Sequence, residues 1–212
     1  MFVLAHHSLL SGHPGNSLQA FSAATKEGFD GFALCVQPTA DAVCVVIKDS
    51  DLGHITSSQG LLRKMKFSEL PKLKNGESIP KLLDLLELPA KLINIELKGE
   101  PGWKNALSAV EASDSLGRVI FSSAEHSEIL QLWAACPQAK CGFIWEIDEA
   151  DALTKEEILN LPESLMLHIP AISVEKKPDF WEKYNNRLVV WDLSKYENMA
   201  SIGFQPTVCI VG

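Results

Sequence analysis

The sequence predicts an α/β fold of the (β/α)8-barrel class, and three observations carry that expectation. Short apolar runs alternate with amphipathic stretches from one end of the chain to the other, as a β/α repeat requires. The chain has 212 residues, enough to bury one large core, so a single domain over 1–212 is expected. That length lies near the lower end for such a barrel, which makes this a lean one. The third observation is an exception to the repeat. Only Pro38–Val43 separates the second and third candidate strands, far short of the roughly dozen residues that a parallel crossover needs. An irregular, hairpin-like link or a bent strand fits there, and reconciles nine candidate strands with an eight-stranded barrel.

The candidate strands, in order, are Phe2–His6, Gly31–Val36, Cys44–Lys48, Leu92–Leu97, Arg118–Phe121, Lys140–Trp145, Ser164–His168, Arg187–Trp191 and Thr207–Val211. Between most of them lie helix-like segments. Asn16 or Ser17 suits the N-cap of the first, Leu18, Phe21 and Ala24 share its apolar face, and Gly28 suits its end. Further helices are expected over about Pro80–Leu88, Trp103–Ser113, Ser127–Ala135, Lys155–Asn160 and Pro178–Tyr184. The stretch 50–79 is rich in Ser, Gly and Lys with weak periodicity, and reads as an excursion off the barrel. The chain stops just after its last strand, so a closing C-terminal helix is expected to be absent.

Composition narrows the function classes. Hydrophobic content of 46% with 22% charged residues is ordinary for a globular protein. A formal charge of −8 without a Lys/Arg cluster disfavours nucleic acid and anionic membranes as partners. No run approaches the ~18 apolar residues of a membrane span, and no leader-like segment precedes the first strand, so a cytoplasmic location is expected. Cys35, Cys44, Cys136, Cys141 and Cys209 lack metal-finger or Cys-x-x-Cys spacing and read as reduced, buried thiols.

Five short motifs carry a more specific signal. They are Ala5-His6-His7, Gly15-Asn16-Ser17, Val36-Gln37-Pro38-Thr39-Ala40-Asp41, Val45-Val46-Ile47-Lys48-Asp49 and Asn94-Ile95-Glu96-Leu97-Lys98. In order and spacing the set resembles the glycerophosphodiester phosphodiesterase family. Weaker matches follow at Leu52, Thr56, Gly60, Ser68-Glu69-Leu70, Ile79-Pro80, Phe121-Ser122-Ser123 and Val190-Trp191, so the resemblance runs along nearly the whole chain. It implies a TIM barrel with its site at the C-terminal ends of the strands, in agreement with the β/α reading. The implied reaction is hydrolysis of glycerophosphodiesters to glycerol 3-phosphate and an alcohol, within lipid metabolism. A divalent cation (Mg²⁺ or Ca²⁺) held by carboxylates assists it, with two histidines as acid and base.

Residue by residue, the resemblance places His6 at the first catalytic histidine and Lys48 at the second. His7 replaces a phosphate-binding arginine, Gly15 an acidic residue and Ser17 a threonine, while Asn16 is retained. Ala33 and Cys35 stand where two carboxylate ligands belong, which leaves Glu96 as the one remaining metal ligand, with Lys98 beside it. The implied catalytic set is therefore His6, Lys48 and Glu96, and the substrate-binding set His7, Asn16, Ser17, Lys98 and Trp191. One carboxylate does not by itself hold Mg²⁺ or Ca²⁺, so no cofactor is expected and activity in the family reaction should be weakened or lost.

Several readings of these residues stand side by side. Lys48 either faces the old metal pocket as an anion-binding point charge or pairs with Glu96. Cys35 is either a small core residue or a nucleophile activated by His6, and His6, Cys35 and Glu96 together have ligand types suited to zinc. Trp145 and Trp191 end strands and can wall a pocket, whereas Trp103, Trp133 and Trp181 fit helix-to-barrel packing. Glu146–Asp151 reads as a solvated acidic loop. The partner expected is a small phosphorylated ligand or anion. The functional alternatives are a metal-independent phosphodiesterase built on His6, Lys48 and Glu96, and a non-enzymatic phospho-ligand-binding or scaffold barrel.

Overall fold

The computed structural model describes residues 1–6, 17–56, 58–99, 102–193 and 202–212. The strands are β1 (Phe2–His6), β2 (Gly31–Pro38), β3 (Cys44–Val46), β4 (Leu92–Leu97), β5 (Val119–Ser123), β6 (Lys140–Ile144), β7 (Met166–Pro170), β8 (Leu188–Leu193) and β9 (Val208–Val211). Eight of them run parallel in the order β1-β2-β4-β5-β6-β7-β8-β9, and β9 pairs back to β1, which closes the barrel. The ninth, β3, lies antiparallel on β2, with Val36 opposite Val46 and Pro38 opposite Cys44. The short link is thus a hairpin, one of the two arrangements its length allows.

Both faces of the barrel strands are buried, and successive side chains alternate between them. Leu4, Ala33, Leu92, Ile120, Met166, Val189, Val208 and Ile210 form one cluster inside the barrel. Their neighbours Val3, Phe32, Leu34, Ile93, Phe121, Leu167 and Val190 join an outer core with the helices. These helices are α1 (Leu18–Lys26), α2 (Leu82–Leu86), α3 (Gly102–Ala112), α4 (His126–Ala135), α5 (Ile147–Ala152), α6 (Lys155–Leu159), α7 (Ala171–Lys176) and α8 (Pro178–Trp181). Ser17 caps α1, its Oγ accepting from Ala20 N at 3.2 Å, and Gly28 at φ 97° turns the chain out of it. Trp103 and Trp181 are buried in the outer core and Trp133 packs against it. Among the described residues, no helix is long and apolar enough to cross a membrane.

The expected acidic loop after β6 is instead helix α5. Ala150 is its buried contact, and Glu149 Oε2 accepts from Glu146 N at 3.2 Å across its first turn. Negative charge there complements the helix N-terminus, so acidity favours rather than forbids the turn. The excursion over 50–79 has its own small core. Leu52, Leu62 and Ile79 bury against Val45 and Ile47 of the hairpin, with Met65, Phe67, Leu70 and Leu73 around them. Asp41 ties this unit to the hairpin turn: its Oδ1 accepts from Thr39 Oγ1 at 2.6 Å and from Phe67 N at 2.9 Å. Thr39 and Asp41 of the third motif therefore hold the hairpin.

Candidate functional site

Strand alternation builds the site. One inward step beyond the apolar layer, six of the eight barrel strands present a residue of a different kind: His6 after Leu4, Cys35 after Ala33, Asn94 and Glu96 after Leu92. The series continues with Ser122 after Ile120, His168 after Met166 and Trp191 after Val189. At this end a cavity of about 380 Å³ opens, with His6, Ala33, Lys48, Asn94, Glu96, Lys98, Glu146, His168, Trp191 and Asp192 in its walls. That is the size of a small-molecule site, at the C-terminal face where barrels carry their chemistry.

Of the implied site residues, His6, Lys48, Glu96, Lys98 and Trp191 meet in this one cavity. Ser17 does not line it, being buried as the cap of α1. His7 and Asn16 lie outside the described residues. Trp145 is buried away from the cavity, against His126 and Phe143 under α4. Four polar lining residues had no role in the motif reading: Asn94, Glu146, His168 and Asp192. Alternation could have found Asn94 and His168, since each stands two residues beyond a barrel-core side chain on its strand. Nothing in the sequence marks Asp192, whose φ of 63° at an irregularity between Val190 and Leu193 brings it to the cavity beside Trp191.

The electrostatic centre is Glu96. Register sets Cys35 opposite it across β2 and β4, and the thiol donates to Glu96 Oε2 with Sγ at 3.0 Å. Its other oxygen, Oε1, meets the Lys98 ammonium at 3.2 Å. Burial, then the Glu96 charge, then the hydrogen bond to it, hold the Cys35 thiol far above its ordinary range. Cys35 is accordingly a protonated donor and does not suit the nucleophile reading. Lys98 is raised: burial acts to lower it, and the Glu96 charge leads the effects that outweigh burial. Lys48 takes a different position. Gln37 Nε2 donates to its carbonyl at 2.8 Å and fixes its backbone at the rim. Among the described residues Lys48 forms no ion pair, so the vestigial Lys48–Glu96 pair is replaced by Lys98–Glu96.

The divalent cation that the resemblance implies does not fit these residues. Two of its three carboxylate positions carry Ala33 and Cys35, and both oxygens of Glu96 are engaged. Among the described residues, no three His, Cys, Asp or Glu side chains gather to hold a metal ion, which also removes the His6, Cys35 and Glu96 zinc arrangement. Deeper in the cavity, burial holds the His168 imidazole down to a pKa of about 3, so it is neutral.

Comparison with known proteins agrees with the fold. A glycerophosphodiester phosphodiesterase of Caldanaerobacter subterraneus subsp. tengcongensis is 31% identical over 161 residues, 68% of this chain and 66% of that protein. One of Bacillus altitudinis is 27% identical over 187 residues, covering 80% of this chain and 72% of its own. The solved glycerophosphodiester phosphodiesterase of Thermotoga maritima superposes with a TM-score of 0.78 at 25% identity, covering 100% of this chain and 94% of that one. An Oleispira antarctica phosphodiesterase, solved with its product sn-glycerol-3-phosphate, gives a TM-score of 0.77 at 20% identity, covering 100% and 92%. The model of the glycerophosphoryl diester phosphodiesterase family matches residues 6–201, and the chain belongs to that family.

Proposed function

We propose that this family member is weakened or inactive as a metal-dependent phosphodiesterase, and that its barrel mouth binds a small phosphorylated ligand without a metal ion. The observation that carries this reading is the double engagement of Glu96 by Cys35 and Lys98. The last family carboxylate is thereby an internal acceptor rather than a metal ligand. Groups that act as one catalytic unit lose their effect together, so a solitary Glu96 restores little. The same engagement disfavours a metal-independent hydrolase, in which Glu96 would have to act on substrate.

Lys48 supplies the cation. Lys48 lines the cavity at the position where the family has a titratable imidazole, and Ala33 and Cys35 remove two carboxylates that would repel an anion. Glu146 and Asp192 line the same cavity and oppose an anion, but both are solvent-exposed and screened. That the Oleispira antarctica relative holds sn-glycerol-3-phosphate supports a ligand of this chemistry here. A charge-assisted hydrogen bond contributes about 1.5–3 kcal/mol net, so Lys48→Met should weaken phosphate binding roughly 10- to 100-fold by calorimetry at low salt. Equal affinity in both proteins, or none in either, would leave the scaffold reading. In parallel, hydrolysis of glycerophosphodiesters with Mg²⁺ or Ca²⁺ should run far below that of an ordinary family member. Robust, chelator-sensitive turnover would overturn the proposal.

A further inference from the structure

A second cavity, of about 610 Å³, lies between the excursion and the barrel mouth. Lys48, Asp49 and Lys98 line its barrel side, and Asp51, His54 and Arg63 its excursion side. Backbone pairing builds it. Leu52 N donates to Gly60 O at 3.0 Å and Leu62 N to Ser50 O at 2.9 Å, so the chain doubles back and returns Arg63 to the groove. Lys48 and Lys98 also line the mouth cavity, so the two spaces adjoin at these residues. Some of the charged groups are committed elsewhere. Lys98 meets Glu96 at 3.2 Å, and Asp51 Oδ1 accepts from Gly53 N at 2.9 Å as the cap of the turn Leu52–His54. Among the described residues Lys48 and Arg63 form no ion pair, although Asp49 and Asp51 line the same groove. Two uncommitted cations therefore face one uncommitted carboxylate, Asp49, and the exposed His54 adds a further hydrogen-bonding group.

We infer that this groove takes the second phosphate of a bisphosphorylated ligand whose first phosphate is held at the barrel mouth. This rests on the reading that the mouth binds phosphate, and extends it to a site outside that cavity. Arg63 is the selecting residue. Its planar guanidinium matches a phosphate with two parallel hydrogen bonds, which a lysine cannot do. Lys48, on the wall common to both cavities, attracts either phosphate as a point charge. Once one phosphate is bound, contact of the other with Arg63 is intramolecular and gains from a high effective concentration. A neutral arm in the same place gains nothing from Arg63. Asp49 and Asp51 oppose the anion, but both are exposed and screened, so direct contact with the guanidinium decides.

The test is calorimetry on the full chain at low salt with n-propyl phosphate and n-hexyl phosphate, each against the bisphosphate of the matching terminal diol. In wild type at least one bisphosphate should bind about 10-fold or more tighter than its monophosphate. Arg63→Gln should close that gap and leave monophosphate affinity unchanged. Lys64→Gln removes an exposed charge from the same turn, at a residue that does not line the groove, and should keep the gap. A gap lost equally in both variants would reduce it to general surface charge and overturn the groove. Equal affinity for monophosphate and bisphosphate in wild type would also overturn it, and leave the mouth reading standing. Weaker monophosphate binding in Arg63→Gln would overturn it too, by moving the single phosphate out of the mouth. No binding by any probe would overturn both readings. Arg63 and Lys64 are exposed, and the wild-type comparison needs no variant, so a folding defect does not shield the inference.

Discussion

His168 links the site to stability. Burial lowers its pKa from 6.5 to about 3 in the folded state, while the unfolded chain keeps the ordinary value. As pH falls below about 6.5, the unfolded chain takes up a proton that the folded chain refuses. Native stability is therefore full above that pH and declines between roughly 6.5 and 3, at up to about 1.4 kcal/mol per pH unit. His168→Leu removes this titration, so its melting temperature should fall less steeply from pH 6 to 4 than that of wild type. Glu96, Glu146 and Asp192 line the same cavity, but they are common to both proteins and cancel in the comparison. Identical slopes by scanning calorimetry would assign the acid sensitivity to other groups.

At the scale of elements, the excursion over 50–79 supports the site as well as decorating the barrel. Leu62 is fully buried among Val45, Ile47, Leu52 and Ile79, and Ile47 is the residue before Lys48. Leu62→Ala should cost about 2–5 kcal/mol in urea unfolding and also weaken phosphate binding, because the segment that carries Lys48 loses its packing. A full stability loss with unchanged affinity would uncouple the excursion from the site. This unit was hard to read in the sequence because short 3-10 turns build it, and these leave no sustained period in the apolar pattern. The barrel strands were legible for the opposite reason: burial on both faces makes them continuous apolar runs, and the length of Pro38–Val43 excluded a parallel crossover, leaving a hairpin or a bent strand. Short, charged α5 and α7 carry too little apolar periodicity to announce themselves. At the site, the motifs located His6, Lys48, Glu96 and Lys98. They could not show that Lys98 rather than Lys48 pairs with Glu96, since that depends on side-chain geometry across the barrel mouth.

For the whole molecule, the closed barrel makes the metal site that the resemblance implies open to a building test. Positions 33 and 35 face inward on β2, and register sets Ala33 opposite Asn94 and Cys35 opposite Glu96. Carboxylates there would stand beside Glu96 whatever the surface does, because eight paired strands fix the backbone. In the combined variant Ala33→Glu, Cys35→Asp, Lys48→His, the thiol that occupies Glu96 Oε2 is gone and three carboxylates share one pocket. Without metal their mutual repulsion should lower the melting temperature, and part of that strain is relieved by protonation. With Mg²⁺ or Ca²⁺ the folded state alone gains a ligand, so the melting temperature should rise with metal concentration, while wild type shows no such dependence. The net charge of −8 adds a background attraction for cations in both proteins, which is why the wild-type titration is the reference. If the combined variant binds no metal by calorimetry, inward register on β2 and β4 is insufficient to form the pocket, and the proposed loss of metal chemistry lies deeper than three side chains.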